Sequence, residues 1–177
     1  MAHQDGRILW YSPNPRAILP LDHLRTSRSM MRLIRTGKYE VRFNTAFSDV
    51  IVACAAPGPG REETWISEGI IEAYNRLHAL GFAHSVETWW MGDELIGGLY
   101  GVGLRGLFAG ESMFSRRPDA SKVALYYLVQ HLRERGFRLL DVQYLTPHLE
   151  RLGAIEVSGR HYRQLLREAL TVDARFD

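Results

Sequence analysis

From His84 to Phe114 the chain reads as three strands joined by turns too short for anything but antiparallel pairing. "HSVETWW" and "ELIGGLYGVG" meet at the turn "MGDE", and "LFAGESMF" follows across "LRG". A connection of that length cannot carry a chain over to a parallel neighbour, which takes a dozen residues or more. Helical patterns flank this meander. Upstream, "TWISEGIIEAYNRLHALG" repeats Ile66, Ile70, Tyr74 and Leu77 at helical spacing and stops at Gly81. Downstream come a helix in "SKVALYYLVQHLRERG", a strand in "FRLLDVQYL" and a last helix in "HYRQLLREAL". Helix, meander, helix, strand is an α+β order and departs from strict β-α-β alternation. Earlier, "TSRSMMRLIRTG" predicts a short helix capped by Ser27 and ended by Gly37, and "YEVRFN" alternates as a half-buried strand does. The Pro/Gly-rich "AAPGPGREET" reads as a loop.

Charge divides unevenly along this order. Residues 1–42 hold eight Arg/Lys against three acids, and the remainder holds 14 basic and 17 acidic residues. Helical spacing sets Arg28, Arg32 and Arg35 on one face. A basic end on a slightly acidic body suits a phosphate-bearing partner, or it is a solvated face of a chain that uses 20 Arg to 2 Lys. No apolar run approaches the length needed to cross a bilayer, and the N-terminus lacks a basic-then-apolar signal pattern. With a single cysteine, Cys54, the expected location is the cytoplasm.

Few chemistries fit the side chains. "GVGLRG" matches G-x-G-x-x-G, but a strand follows it where a dinucleotide site needs a helix. There is no G-x-S-x-G elbow, Cys54 has no nearby His in sequence, and the seven His form no metal-ligand spacing. Chemistry with neither covalent intermediate nor metal needs an activated substrate and a proton acceptor. Two acids stand in apolar company: Glu111, between "LFAG" and "SMF", and Asp141, after "FRLL". On a strand, Asp141 and Gln143 share a face, and burial would raise the acid's pKa towards useful base strength. The competing role for Asp141 is an ion pair with an arginine or a loop cap, and pattern alone leans to it. Leu125, Leu128 and Leu132 form one stripe on the helix after Glu111, either plain core or the wall of an apolar pocket.

The motifs "WYSPNPRAIL", "SRSMMR", "TWISEGIIEAYNRLHALGFAHSVE", "DELIGGLYGV", "FAGESMFS", "ASKVAL" and "LLDVQYLTPHLERLGA" occur in one order from about Ile8 to Leu170. In these the chain resembles the leucyl/phenylalanyl-tRNA–protein transferases, and its central layout matches the acyltransferase fold of the N-acetyltransferase superfamily. The resemblance implies a mixed, mostly antiparallel sheet flanked by helices. Residues 1–60 would form an N-terminal extension with the basic helix and strand, and 61–177 the catalytic domain. It implies transfer of Leu, Phe or Met from aminoacyl-tRNA to proteins beginning with Arg or Lys, marking them for degradation, with no cofactor and no metal. Asp141 and Gln143 would be the catalytic pair, Asp141 taking the proton of the attacking amine, and Glu111 would hold the donor's α-amino group. Leu99, Phe108, Leu125, Leu128, Leu132 and Leu140 would line the side-chain pocket, with Ser112 beside the substrate. Trp65 would stack near the terminal adenosine, and Arg28, Arg32 and Arg35 would meet tRNA phosphates. Members usually carry a further N-terminal segment with "GGDL" and "Y-R-x-G-I-F-P-W"; a chain beginning "MAHQDGRILWYSPNP" is expected to be a short form without those aromatics. An acyl-CoA-dependent N-acyltransferase and a non-catalytic binding module are the alternatives. The first lacks its phosphate loop, since "SRRPDAS" precedes the helix instead.

Overall fold

Residues 83–88 and 95–101 of the meander are buried without alternation, as in a sheet covered on both faces. A computed structural model describes residues 11–57 and 64–177, so Trp10, the start of the chain and the centre of the Pro/Gly loop lie outside the described residues. In chain order the elements are β1 (Arg16–Ile18), α1 (Arg28–Arg35), β2 (Tyr39–Phe43), α2 (Phe47–Ala55), α3 (Glu68–Ala79), β3 (Ala83–Trp90) and β4 (Glu94–Leu104). They continue with β5 (Leu107–Ser115), α4 (Ala120–Glu134), β6 (Leu139–Gln143), α5 (Pro147–Arg151), β7 (Ile155–Val157) and α6 (Gly159–Leu170). One seven-stranded sheet runs β2-β3-β4-β5-β6-β1-β7. Every neighbouring pair is antiparallel except β5 and β6, which run parallel with α4 as the crossover.

The two layers follow from which residues each strand offers. One face of β4 presents Leu99 to the stripe Leu125, Leu128 and Leu132 of α4, in a core that also takes Phe108 and Leu140. The other presents Tyr100 to Phe47, Val50 and Ile51 of α2 and to Ile70 of α3. Helix α1 begins as expected, with the Ser27 hydroxyl accepting the Met30 N–H at 3.1 Å, and Gly37 beyond it adopts φ 67°. Such a cap stabilises a helix by about 1 kcal/mol.

The structure adds a helix, joins early and late residues in one sheet, and keeps the glycines as packing positions. Cys54 is buried within α2, an element the sequence reading left out. The boundary anticipated near residue 60 does not divide the sheet. β2 pairs with β3, and β1 lies between β6 and β7, so the early residues build the same layer as the late ones. The glycines of "GVGLRG" mark close packing and not a phosphate loop. A Cβ on Gly101 would strike the Ala109 carbonyl and the Phe108 ring, and one on Gly106 would meet the Ala169 carbonyl at 2.7 Å. Gly101→Ala is therefore expected to lower stability by about 1–3 kcal/mol, the usual cost of overpacking, readable as a lower urea midpoint at unchanged m.

Candidate active site

The parallel pair β5–β6 stays together only briefly. Leu107, Phe108 and Ala109 pair with Leu139, Leu140 and Asp141, and no register continues beyond, although β5 runs on to Ser115. Two local irregularities sit where pairing stops. Between β4 and β5 the register shifts, Tyr100 facing Ser112 while Gly101 faces Gly110, which leaves Glu111 as the extra residue of a bulge. On β6, Gln143 takes φ 66°, a left-handed conformation. For a residue other than glycine that costs roughly 1–3 kcal/mol, and bulges likewise re-aim side chains near functional sites. Both distortions turn polar side chains towards the gap.

What holds them is a chain of hydrogen bonds. The Gln143 side-chain amide donates to Glu111 Oε2 at 3.0 Å and to the Gly110 carbonyl at 3.3 Å. Its backbone N–H donates to Asp141 Oδ1 at 2.9 Å, so Asp141 and Gln143 are linked through a turn and do not stand side by side on a regular strand face. Asp141 is 1% exposed. Arg16 reaches it from β1, with Nη2 2.6 Å from Oδ2 and Nε 3.1 Å from both oxygens, and the Tyr162 hydroxyl of α6 donates to Oδ2 at 2.7 Å. The Arg16 guanidinium lies over the Tyr162 ring at 4.9 Å. Asp141 therefore takes part in an ion pair, and both its oxygens are engaged. Through the Gln143 N–H, Asp141 also fixes the turn that carries Gln143.

Glu111 faces outward onto two hollows. One, of about 240 Å³, is apolar and takes Leu99, Leu125, Leu128 and Leu140 in its wall, with Glu111 and Ser112 also lining it. The other, of about 420 Å³, carries Arg16, Trp65, Tyr74 and Gln143. Glu111, Val142, Thr146 and Leu149 belong to both, so the carboxylate stands at their junction. Burial pushes the Glu111 carboxyl above the ordinary carboxylate range. Hydrogen bonding from Gln143 and Tyr74 opposes this, the charge of Asp141 adds to it and that of Arg16 opposes it. Burial also raises the Tyr74 phenol, and the Glu111 charge adds to that rise.

The site thus gathers Asp141, Gln143, Glu111, Ser112, Trp65, Leu99, Leu125, Leu128 and Leu140. Phe108 and Leu132 are not in the wall of the hollow. Phe108 lies in the stretch of β5 that still pairs with β6 and stacks on Phe176 at 5.4 Å, and Leu132 sits one helical turn deeper than Leu128. Both are core. Arg28, Arg32 and Arg35 line a separate shallow hollow of about 390 Å³ on the outside of α1, exposed and without ion pairs among the described residues. Sequence reasoning missed Arg16 and Tyr162, which the fold brings to Asp141 from 125 and 21 residues away. It also missed Tyr100, whose fully buried hydroxyl has no hydrogen-bond partner among the described residues and whose residue lines the apolar hollow. His148 and Leu149, from the five-residue α5, complete that wall. No group of three or more His, Cys, Asp or Glu among the described residues could hold a metal ion, and no described helix is long and apolar enough to cross a membrane.

Comparison with known proteins places this geometry. Among solved structures, the chain superposes on L-PGS from Bacillus licheniformis with a TM-score of 0.52 at 13% identity, covering 89% of this chain and 65% of that one. It also matches a GCN5-related glucosamine N-acetyltransferase region of a fungal multi-domain protein with a TM-score of 0.50 at 10% identity, over 82% of this chain and 20% of that one. At such identities the likeness concerns the fold, which is that of the acyltransferases. In sequence, the chain is 55% identical to the leucyl/phenylalanyl-tRNA–protein transferase of Herpetosiphon aurantiacus over 98% of its length and 88% of that protein. It is 54% identical to that of Chlorobium limicola over 94% and 85%. The family profile described as leucyl/phenylalanyl-tRNA protein transferase matches residues 18–167. The chain belongs to the leucyl/phenylalanyl-tRNA–protein transferase family.

Proposed function

We infer that this chain transfers a Leu, Phe or Met residue from aminoacyl-tRNA to the N-terminal Arg or Lys of a protein, in the cytoplasm. The observation that carries the reading is the position of Glu111 at the junction of an apolar and a polar hollow. A donor amino acid has that same polarity. Its side chain enters the apolar hollow, where burial contributes about 1.5–3 kcal/mol, while Glu111 holds the α-ammonium through a charge-assisted hydrogen bond. The ester and the terminal adenosine then occupy the polar hollow, beside Trp65.

The ester is already activated, so the site has to orient more than to activate. The acceptor's neutral amine attacks the ester carbonyl carbon. A C–N bond forms, the bond to the 3′ oxygen breaks, and the proton the amine gives up ends on that oxygen as the hydroxyl leaves. Gln143 spends its amide N–H groups on Glu111 and Gly110, which leaves Oε1 to accept an N–H of the incoming amine and aim its lone pair. Asp141 holds Gln143 through the backbone and binds Arg16, which supplies positive charge beside the ester as its carbonyl oxygen becomes anionic. A carboxylate at the N-cap of α4, Asp119, stands where an acyl-CoA enzyme would receive a pyrophosphate, which weighs against the CoA reading.

The test is direct. Mixed with charged Leu-, Phe- and Val-tRNA and an Arg-starting peptide, the protein should extend the peptide from the first two far faster than from the third, as read by mass. No extension from any donor would end this reading. Leu128→Trp fills the apolar hollow and is expected to raise the KM for Phe-tRNA while leaving binding of uncharged tRNA unchanged. An unaltered donor preference in that variant would remove the hollow from donor recognition.

A further inference from the structure

On the other side of His148 lies a third hollow, of about 300 Å³, for which the transfer chemistry has no use. Arg25, Lys122, His148 and Arg151 line it, with Thr26 and Ser27 at the approach to α1, and no carboxylate is in its wall. The basic groups come from three separate places: the segment before α1, the first turn of α4, and α5. Lys122 pairs with Asp119, whereas Arg25 and Arg151 form no ion pair among the described residues. Like charges converging on one concavity repel unless an anion shares it. His148 registers the same field. Burial, then the charges of Lys122 and Arg151, hold its imidazole below the ordinary histidine range, with Asp119 opposing.

Position gives the hollow its meaning. It shares Thr26 with the depression beside Arg28, Arg32 and Arg35, and it shares His148 with the apolar hollow that ends at Glu111. Cationic side chains therefore extend from the outside of α1 to His148, the residue that borders the donor pocket. We propose that this third hollow is a phosphate site, in which Arg25 and Arg151, with Lys122 and His148 beside them, hold a backbone phosphodiester of the donor RNA's acceptor strand. The assignment rests on the transfer reading above, adding a contact that reads neither base nor amino acid and sets how far the acceptor end is fed towards Glu111.

The double variant Arg25→Gln/Arg151→Gln tests it against two donors. One is full-length Phe-tRNA; the other is 3′-phenylalanyl-adenosine, which has no phosphodiester. The variant should bind tRNA more weakly and show a slope of log affinity against log salt shallower by roughly 0.7–0.9, as one lost phosphate contact requires. Transfer from phenylalanyl-adenosine should be unchanged. Equal loss with both donors would mean a structural role for the two arginines, and an unchanged salt slope would mean no contact; either overturns the proposal. Inorganic phosphate and AMP form the third arm. If they bind the parent but not the variant while tRNA affinity stays the same, the hollow serves a free phosphate and the RNA assignment fails. The salt slope is a binding measurement, so it decides the site even if neither donor supports transfer, an outcome that would refute the transfer reading separately.

Discussion

Asp141→Asn is expected to cut transfer from preformed Phe-tRNA by about a hundredfold or more, the scale of loss when reacting groups are displaced by an ångström. The substitution keeps shape and removes charge. Arg16 then faces an amide in a pocket where its side chain is 16% exposed, and one of the amide's two polar atoms must point N–H groups at a guanidinium or at the Gln143 N–H. Breaking a buried pair from one side costs about 3–5 kcal/mol, and the partial exposure of Arg16 puts this one at or below the lower end. Most domains have 5–15 kcal/mol of stability, so the variant should fold and melt at a lower temperature. The loss should fall on kcat, since neither hollow loses its lining. Two companions separate anchoring from proton abstraction. Tyr162→Phe removes one of the hydrogen bonds to Asp141 and should cost several-fold, as should Arg16→Lys, which keeps the charge but not the forked geometry. If Asp141→Asn transfers within a few-fold of the parent, the whole anchor of Arg16, Asp141 and Gln143 is irrelevant to the reaction.

The reason that anchor was only half visible in sequence is geometric. Short turns made β3, β4 and β5 legible, period-two alternation did so for β2, and the repeats of α3 and α4 were equally plain. β1 and β7 have three residues each and α5 has five, too few for any period to emerge, and in α2 the exposed Val52 blurs the stripe that Phe47, Val50, Ile51 and Cys54 bury. Those four elements supply or position much of what the motifs alone left out: Arg16 on β1, His148 and Leu149 on α5. Nothing in "LLDVQ" announces a left-handed glutamine, because no glycine marks the place. At Glu111 the signal was clearer. A carboxylate inside an apolar strand must be paired or functional, and the bulge that frees it lies where Gly101 faces Gly110. The leucine stripe of α4 pointed correctly at the hollow but could not say where the hollow ended, so Leu132 was included one turn too far.

Glu111→Gln should separate stability from function in opposite directions. Burial is the main reason the Glu111 carboxyl titrates high, so the folded chain holds its proton more tightly than the unfolded chain does. The sign follows from linkage. That group's contribution to stability is complete below the ordinary glutamate value and is lost as pH rises through the raised folded value. At neutral pH the ionised side chain is therefore a burden on the fold, and the glutamine variant, which carries no such charge, should melt no lower than the parent and gain on it across that window. Catalysis asks for the ionised form. A neutral amide cannot replace the charge-assisted bond to the donor's ammonium, and losing about 1.5–3 kcal/mol should raise the donor KM roughly ten- to a hundredfold. In the parent, the donor KM should climb as pH falls through the raised Glu111 value, while in the variant that limb should vanish. A variant that keeps the parent's donor KM at neutral pH, or a parent whose donor KM is flat on acidification, would detach Glu111 from the ammonium and leave the junction of the two hollows without a ligand.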